Sequence, residues 1–250
     1  MRYFVQIAYN GKDLHGWQIQ PNANTVQAEM NKALTVYFNQ GAISCIGCGR
    51  TDTGVHASDF YLHFDIDQQI DEKESVYRLN RILPLTIVVK QFIKVGEYAH
   101  TRFDALSRTY EYHIHTIKNP FVLDGSLFFS YPLDIDKMNE ACQLLFNYQD
   151  FTSFSKVHTE AKTNICKIMK AEWKQEGEKI VFTIQADRFL RNMVRAIVGT
   201  MLDIGQGKKQ VTDISTIIEQ KDRGKAGRSV SGKGLYLAKV EYEFEKLILK

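Results

Sequence analysis

The chain has 250 residues, of which 44% are hydrophobic, 24% charged and 12% aromatic, and its net charge is +3. This composition is typical of one large or two ordinary globular domains and excludes a largely disordered chain. No apolar run reaches the roughly 18 residues that a membrane-spanning helix needs, and the first residues lack the apolar core of a secretory signal, so we expect a cytoplasmic protein.

The first hundred residues carry six predicted elements. Arg2–Tyr9 is rich in β-branched and aromatic residues and predicts a strand. Asn24 is expected to begin a helix, with Gln27 completing a capping box. "AISCIG" predicts a short strand, and "DFYLHFDID" a longer one because apolar side chains alternate from Phe60 onward. "DEKESVYRLNRILP" predicts a helix that Pro84 ends, and "LTIVVKQFIKV" a strand, which gives the order β-α-β-β-α-β.

The remaining residues repeat this order. "SRTYEYHIHTI" predicts a strand, "DIDKMNEACQLLF" a helix, and two strands flank "GE" as a hairpin. "LRNMVRAIVGTMLDIG" predicts an apolar helix with Gly205 as candidate C-cap; a helix "VTDISTIIEQ" and a strand "GLYLAKVEYEF" follow. We therefore predict an α+β fold of two βαββαβ halves (ferredoxin-like or RRM-like), 1–105 and 106–250, with mainly antiparallel sheets, helices on one face and an active-site cleft between the halves.

Three groups of polar residues are candidates for that cleft. Asp52 lies in the glycine-rich stretch "CGRTDTGVHA", and Tyr110 lies on the first strand of the second half. Arg188, Arg191 and Arg195 recur at i, i+3 and i+7, which places them along one flank of the predicted apolar helix. Each also has a plainer interpretation: a turn residue for Asp52, a core aromatic for Tyr110 and a solvated helix face for the arginines.

Two other chemistries fit the sequence less well. "DTG" also occurs in aspartic proteases, but the chain has no second D-T-G to supply the paired carboxylate. Cys45 and Cys48 form a C-x-x-C, but no second C-x-x-C or close histidine pair completes a zinc site. We therefore expect buried thiols and no metal site.

The motifs "GRTDTGVHA", "YNGKDLHGWQIQPNANTVQAEMNKAL", "HTRFDALSRTYEYHI", "DFTSFS", "FLRNMVRAIVG" and "GKGLYLAKVEY" together span Tyr9 to Tyr242. Together they resemble the tRNA pseudouridine synthase A family over essentially the whole chain. Two positions depart from that family's pattern: Thr101 replaces a smaller residue, and "RSVSGKGLYL" lacks the usual Ala-Pro before its glycines.

The resemblance implies isomerisation of uridine to pseudouridine at positions 38, 39 and 40 of the tRNA anticodon arm, without metal or organic cofactor. It implies that Asp52 is the catalytic nucleophile or base, paired with Arg195, and that Tyr110 stacks on the target base and helps to remove the C5 proton. Arg50 would take the space of the extruded nucleotide or hold its phosphate, because a base inside a stem must leave the stack to be reached. His56 is expected to contact the substrate.

The resemblance also implies tRNA as partner and a homodimer. We expect the basic segment "KDRGKAGR" to follow phosphates as a mobile loop, with Lys208 and Lys209 extending the track. The predicted RNA-binding residues are Arg188, Arg191, Lys221, Arg223, Lys225 and Arg228. A second hypothesis is a catalytically silent RNA-binding protein of paired RRM-like units; "DFYLHFDI" has the aromatics of an RNA-binding strand but not its basic-glycine start.

Overall fold

The computed structural model describes residues 1–156 and 163–248. It has a mixed α+β architecture that divides into two compact units. The first unit contains Met1–Leu106 together with the residues from Leu237 onward, and the second is Ser107–Tyr236. The sequence pattern places the last strand in the second half, whereas most of this strand packs with the first unit. No helix in the described ranges is long and apolar enough to cross a membrane.

Residues 1–106 of the first unit form four strands and two long helices in the order β-α-β-β-α-β. The elements are β1 (Arg2–Tyr9), α1 (Val26–Phe38), β2 (Ile46–Gly47), β3 (His56–Asp65), α2 (Glu72–Ile82) and β4 (Ile87–Val95). Strand β9 (Leu235–Glu241) and the short helix α6 (Phe244–Ile248) complete the chain. The sequence pattern does not predict α6.

Strand β1 lies between β3 and β4 and pairs antiparallel with both. Val5 is opposite Leu62 on one side and Phe92 on the other, and all three side chains are buried. Tyr3, Phe4 and Val5 are buried in succession, so side chains on both faces of β1 are removed from water, which agrees with its nearly continuous apolar sequence. Trp17 packs on Phe60 with ring centroids 4.4 Å apart, so this core reaches the loop that precedes α1.

The second unit is built on an antiparallel sheet in the order β5-β8-β7. The elements are β5 (Ser107–His115), β6 (Leu127–Phe128), α3 (Ile135–Leu145), β7 (Ile168–Glu176), β8 (Lys179–Ala186), α4 (Met193–Gly205) and α5 (Asp213–Gln220). Tyr112 is opposite Phe182, which is opposite Trp173 on the outer strand. The two-residue strand β6 pairs parallel with β5 and is not predicted from the sequence, since it is too short to show a period.

Two predicted helix boundaries are wrong. The N-cap of α1 is Thr25, whose side chain accepts a hydrogen bond from Ala28 N, because the Asn24 carbonyl is instead bonded to His15 N. Gly205 is the last helical residue of α4, and the left-handed glycine that follows is Gly207, with φ +72°. Both errors are local shifts of the kind that tertiary contacts impose on helix ends.

Candidate active site

Asp52 lies in the connection from β2 to β3, and its side chain is half-buried. The connection turns back on itself there, since Val55 N donates to Asp52 O at 3.2 Å and Gly54 has φ +75°. This turn agrees with the plainer interpretation of Asp52 as a turn residue. It also fixes the backbone from which the carboxylate projects.

The segment Gly11–Trp17 lies against this turn and is bonded to it on both sides of Asp52. Trp17 N donates to Thr51 O at 3.3 Å, and Gly54 N donates to Leu14 O at 3.2 Å. The approach is so close that a Cβ on Gly16, which has φ +81°, would lie 2.2 Å from Thr51 O. The short spacing between the two backbones therefore requires glycine in the Gly11–Trp17 segment.

A buried side-chain pair supports the same turn from the strand behind it. Tyr9 Oη lies 2.9 Å from Thr51 Oγ1, and both residues are buried. Buried hydroxyls are costly unless they are paired, so this bond favours one position of Thr51 over others. The residue next to Asp52 is thus fixed through side chain and main chain together.

The two other predicted residues of this loop have different surroundings. Arg50 is exposed, and its contact with a nucleotide stays a prediction. His56 is buried, with 2% of its surface exposed, and its Nδ1 accepts a hydrogen bond from Gly11 N at 3.1 Å. Its contact with substrate stays a prediction, while its contact with the Gly11–Trp17 segment is part of the fold.

In the second unit, Tyr110 lies on β5 and is half-buried, not enclosed in the core. The ring of Phe189 meets its ring edge-on, with centroids 5.1 Å apart and an interplanar angle of 90°. Edge-to-face contact of this kind fixes an aromatic ring in one orientation. Stacking of Tyr110 on the target base stays a prediction.

Arg195 lies on α4 and is held at both its main chain and its side chain. Arg195 Nε donates to Val230 O at 2.7 Å, and Val230 N donates to Arg195 O at 3.2 Å. The next carbonyl, Ser231 O, accepts from Tyr112 Oη at 2.8 Å. Burial raises the pKa of Tyr112, and the Arg195 charge acts in the opposite direction.

The placement predicted for the other two arginines is wrong. Helix α4 begins at Met193, after Asn192 with φ +68°, so Arg188 and Arg191 precede the helix and do not share a helical flank with Arg195. Arg191 is exposed, whereas Arg188 is half-buried. The apolar periodicity extends the predicted helix because Leu190, which is buried, continues the apolar pattern without being helical.

The basic segment Lys221–Arg228 is packed more closely than predicted. The guanidinium of Arg223 donates to Gly227 O at 3.1 Å and to Ser229 Oγ at 2.7 Å, and so closes the loop on itself. Gly227 N donates to Thr200 Oγ1 of α4 at 2.8 Å. Lys221, Lys225 and Arg228 are exposed, and the Lys221 ammonium lies 2.8 Å from the Asp150 carboxylate.

The cysteines are buried, as the sequence predicts. All four are free and buried. Burial raises the pKa of Cys45 to about 12, which disfavours the thiolate that metal binding or redox chemistry needs. Among the residues that the structure describes, no group of three His, Cys, Asp or Glu side chains could hold a metal ion.

The structure thus places Asp52, Arg50 and His56 in the first unit and Tyr110 and Arg195 in the second. Sequence reasoning missed the residues that position them. Gly11 and Gly16 were visible in "NGKDLHGW" as closely spaced glycines, but their partners were not. The sequence could not identify the carbonyls of Val230 and Ser231 as acceptors, because every residue type carries a main-chain carbonyl.

Comparison with known proteins gives consistent results. A family model described as tRNA pseudouridine synthase matches residues 141–243. A tRNA pseudouridine synthase A of Bacteroides fragilis is 54% identical over 98% of this chain and 97% of its own. Proteins of the same name from Parabacteroides distasonis and Bacillus subtilis are 50% and 39% identical, over 98% and 97% of this chain and 97% and 100% of their own.

Proposed function

The chain belongs to the tRNA pseudouridine synthase A family, and from that premise we propose that it isomerises uridine to pseudouridine in tRNA. The observation that carries the proposal is the 54% identity to the Bacteroides fragilis relative over nearly the full length of both chains. We propose positions 38, 39 and 40 of the anticodon stem and loop as its targets, and the cytoplasm, where tRNA is available, as its location.

The reaction requires little beyond one well-placed carboxylate. The bond from ribose C1′ to N1 breaks, uracil turns, C1′ bonds to C5, the C5 proton leaves and N1 gains a proton. No electrons are transferred and no water is consumed, so we propose no cofactor. Asp52 is the proposed nucleophile or base, and the support for this role is its half-buried position on a turn bonded on both sides.

Arg195 is the proposed partner of the Asp52 carboxylate. Because its Nε is bonded to the Val230 carbonyl, a two-pronged contact with a carboxylate would use the two terminal nitrogens of the guanidinium. An adjacent guanidinium favours the ionised carboxylate that the reaction needs. Tyr110 is proposed to stack on the target base, and Arg50 to meet the extruded nucleotide.

We also propose the finer architecture of two βαββαβ halves, with the active site in a cleft between them. The element order of residues 1–106 supports the first half, and β5, α3, β7, β8, α4 and β9 give the same order for the second, with β6 and α5 as additions. The domain limits at 105/106 and the cleft itself stay predictions.

The partner surfaces are proposals of the same kind. tRNA phosphates would meet exposed basic residues, and Arg191, Lys221, Lys225 and Arg228 are the exposed members of the predicted set. A homodimer would cover apolar surface, and the stretch 117–131 offers it, since Phe121 is 95% exposed and Tyr131 is 64% exposed.

The test compares wild type with Asp52→Asn. Tritium release from tRNA labelled at uridine C5 measures turnover, because the C5 proton is lost in every cycle. We expect Asp52→Asn to bind tRNA normally and to lose activity by roughly 10⁴-fold or more, as essential nucleophiles do. Asp67→Asn, the same change at an exposed loop position, is the matched control and should retain wild-type activity. Wild-type protein that binds tRNA without tritium release would support the silent RNA-binding hypothesis instead.

A further inference from the structure

The Gly11–Trp17 segment is bonded to the Asp52 loop at three places that follow one another along the loop. Thr51 O accepts from Trp17 N, Gly54 N donates to Leu14 O, and the ring of His56 accepts from Gly11 N. The first two bonds are between main-chain atoms and would form with many residue types. The third depends on one side chain.

The geometry identifies which atom of that side chain matters. His56 Nδ1 is 3.1 Å from Gly11 N, and this bond is buried. A nitrogen that accepts a hydrogen bond carries no proton, so His56 is neutral there with its proton on Nε2. The Gly11 backbone lies directly against the loop, since a Cβ at Gly11 would lie 2.1 Å from Val55 O, and the amide is therefore shielded from water. Losing the acceptor would leave this buried N–H without a partner, which is unfavourable.

We propose that His56 is a positioning residue, which sets the Asp52 carboxylate in place by anchoring the Gly11–Trp17 segment through Nδ1. This role rests on the proposed function of Asp52 and differs from the substrate contact that the sequence predicts for His56. His56 lies four residues after Asp52, where the loop enters β3, and the anchored segment returns to Thr51, immediately before Asp52. Loss of the His56 bond would let the Gly11–Trp17 segment and the Asp52 loop shift. The Asp52 carboxylate would then move relative to the reacting carbon, while the carboxylate itself would be unchanged.

The test uses two amide replacements that differ in where they place an oxygen. Asparagine at position 56 can put its oxygen where Nδ1 lies, whereas glutamine puts its oxygen nearer to the position of Nε2. His56→Asn should therefore retain the saturated single-turnover rate within about threefold. His56→Gln should lose about 10²-fold, the typical cost of a misplacement near 1 Å. tRNA affinity should stay close to wild type in both variants.

His63 supplies a matched control on the same strand. It is also 2% exposed, and its Nδ1 lies 2.8 Å from Thr101 Oγ1, away from the Asp52 loop. His63→Gln should lower thermal stability without a selective loss of single-turnover rate. Thermal unfolding of all three variants shows whether the compared proteins are folded.

The outcomes separate the two roles of His56. A slow His56→Gln beside an active His56→Asn supports positioning. If both amide variants lose tRNA affinity, or both lose rate alike, the imidazole itself meets substrate and the positioning role is overturned; if both remain fully active, the anchor is dispensable and the proposal also fails. A wild-type protein without pseudouridine formation would instead refute the proposed function, whatever the variants do.

Discussion

Gly16→Ala tests how tightly the backbone around Asp52 is constrained. The new Cβ would lie 2.2 Å from Thr51 O and 3.1 Å from the carbonyl carbon of Asp52. Because Cβ atoms essentially never approach a heavy atom within 3.0 Å, the Thr51 carbonyl has to move by about 0.8 Å. A displacement of this size beside a reacting group lowers turnover by about 10²-fold.

The same substitution carries a second cost that has to be separated from the first. Gly16 has φ +81°, and an alanine there is strained by about 1–2 kcal/mol whatever its surroundings. Gly41 is the matched control, since it has φ +72° and a Cβ added to it would meet no heavy atom within 4 Å. Gly41→Ala should show the strain as reduced stability and leave turnover unchanged.

The assay is single-turnover tritium release at saturating tRNA, beside tRNA affinity and thermal unfolding of both variants. Gly16→Ala should be less stable than Gly41→Ala and about 10²-fold slower, with little change in affinity, because the exposed basic side chains of Lys225 and Arg228 lie in the other unit. A folded Gly16→Ala protein that turns over as fast as Gly41→Ala would show that the position of the Thr51–Asp52 peptide does not limit the reaction.

Two further predictions concern RNA affinity and acid stability. Removing the Lys225 and Arg228 side chains together should lower tRNA affinity at low salt and reduce the slope of log affinity against log salt by up to about two units. Arg223→Ala, which removes the bonds to Gly227 O and Ser229 Oγ, should mainly destabilise the loop. Equal slopes for the double variant and wild type would contradict phosphate contact. Burial and the neighbouring charges of His100 and Arg2 lower the pKa of His63 from 6.5 to about 4, so across this window the unfolded chain binds a proton that the folded chain does not. The contribution of neutral His63 to the free energy of unfolding is therefore fully present above pH 6.5 and falls by up to roughly 3 kcal/mol as the pH drops to 4. In urea unfolding, the difference in free energy of unfolding between wild type and His63→Gln should become smaller as the pH falls.

The sequence predicted most elements of the fold because the strands and helices carry strong periods. Strand β1 has the predicted bounds, Arg2–Tyr9, and α2 ends at Ile82, two residues before Pro84. The failures lie where a long-range contact decides a local detail. Thr25 replaces Asn24 as N-cap because the Asn24 carbonyl is bonded to His15 N, a partner nine residues away that no local pattern shows.

The candidate site could be predicted only as a set of residue types. The motif around Asp52 identified the loop, but its supports are main-chain bonds from a segment that lies far earlier in the chain, Gly11–Trp17. The i, i+3, i+7 spacing of the arginines suggested one helical face, yet Asn192 in a left-handed conformation separates Arg191 from the helix. Spacing alone cannot show where a helix begins when apolar residues continue beyond its end.

The two departures from the family pattern are accommodated for different physical reasons. Thr101 is fully buried, and its hydroxyl donates to Ile46 O at 3.1 Å and lies 2.8 Å from His63 Nδ1. A buried threonine would be unfavourable without such partners, so the polar His63 ring makes the larger residue tolerable at this position.

The missing Ala-Pro before the last glycines is accommodated by the main chain. Arg195 Nε and Tyr112 Oη both donate to carbonyl oxygens, those of Val230 and Ser231, which every residue type supplies. The identity of these two side chains can therefore vary while the acceptors that orient Arg195 remain. Gly234 cannot vary in the same way, since a Cβ there would lie 2.8 Å from His113 O and 3.0 Å from the Tyr112 ring, and a displaced Tyr112 would release the Ser231 carbonyl. In this segment, the orientation of the proposed catalytic arginine thus depends on a glycine and on backbone geometry more than on the residues that the motif names.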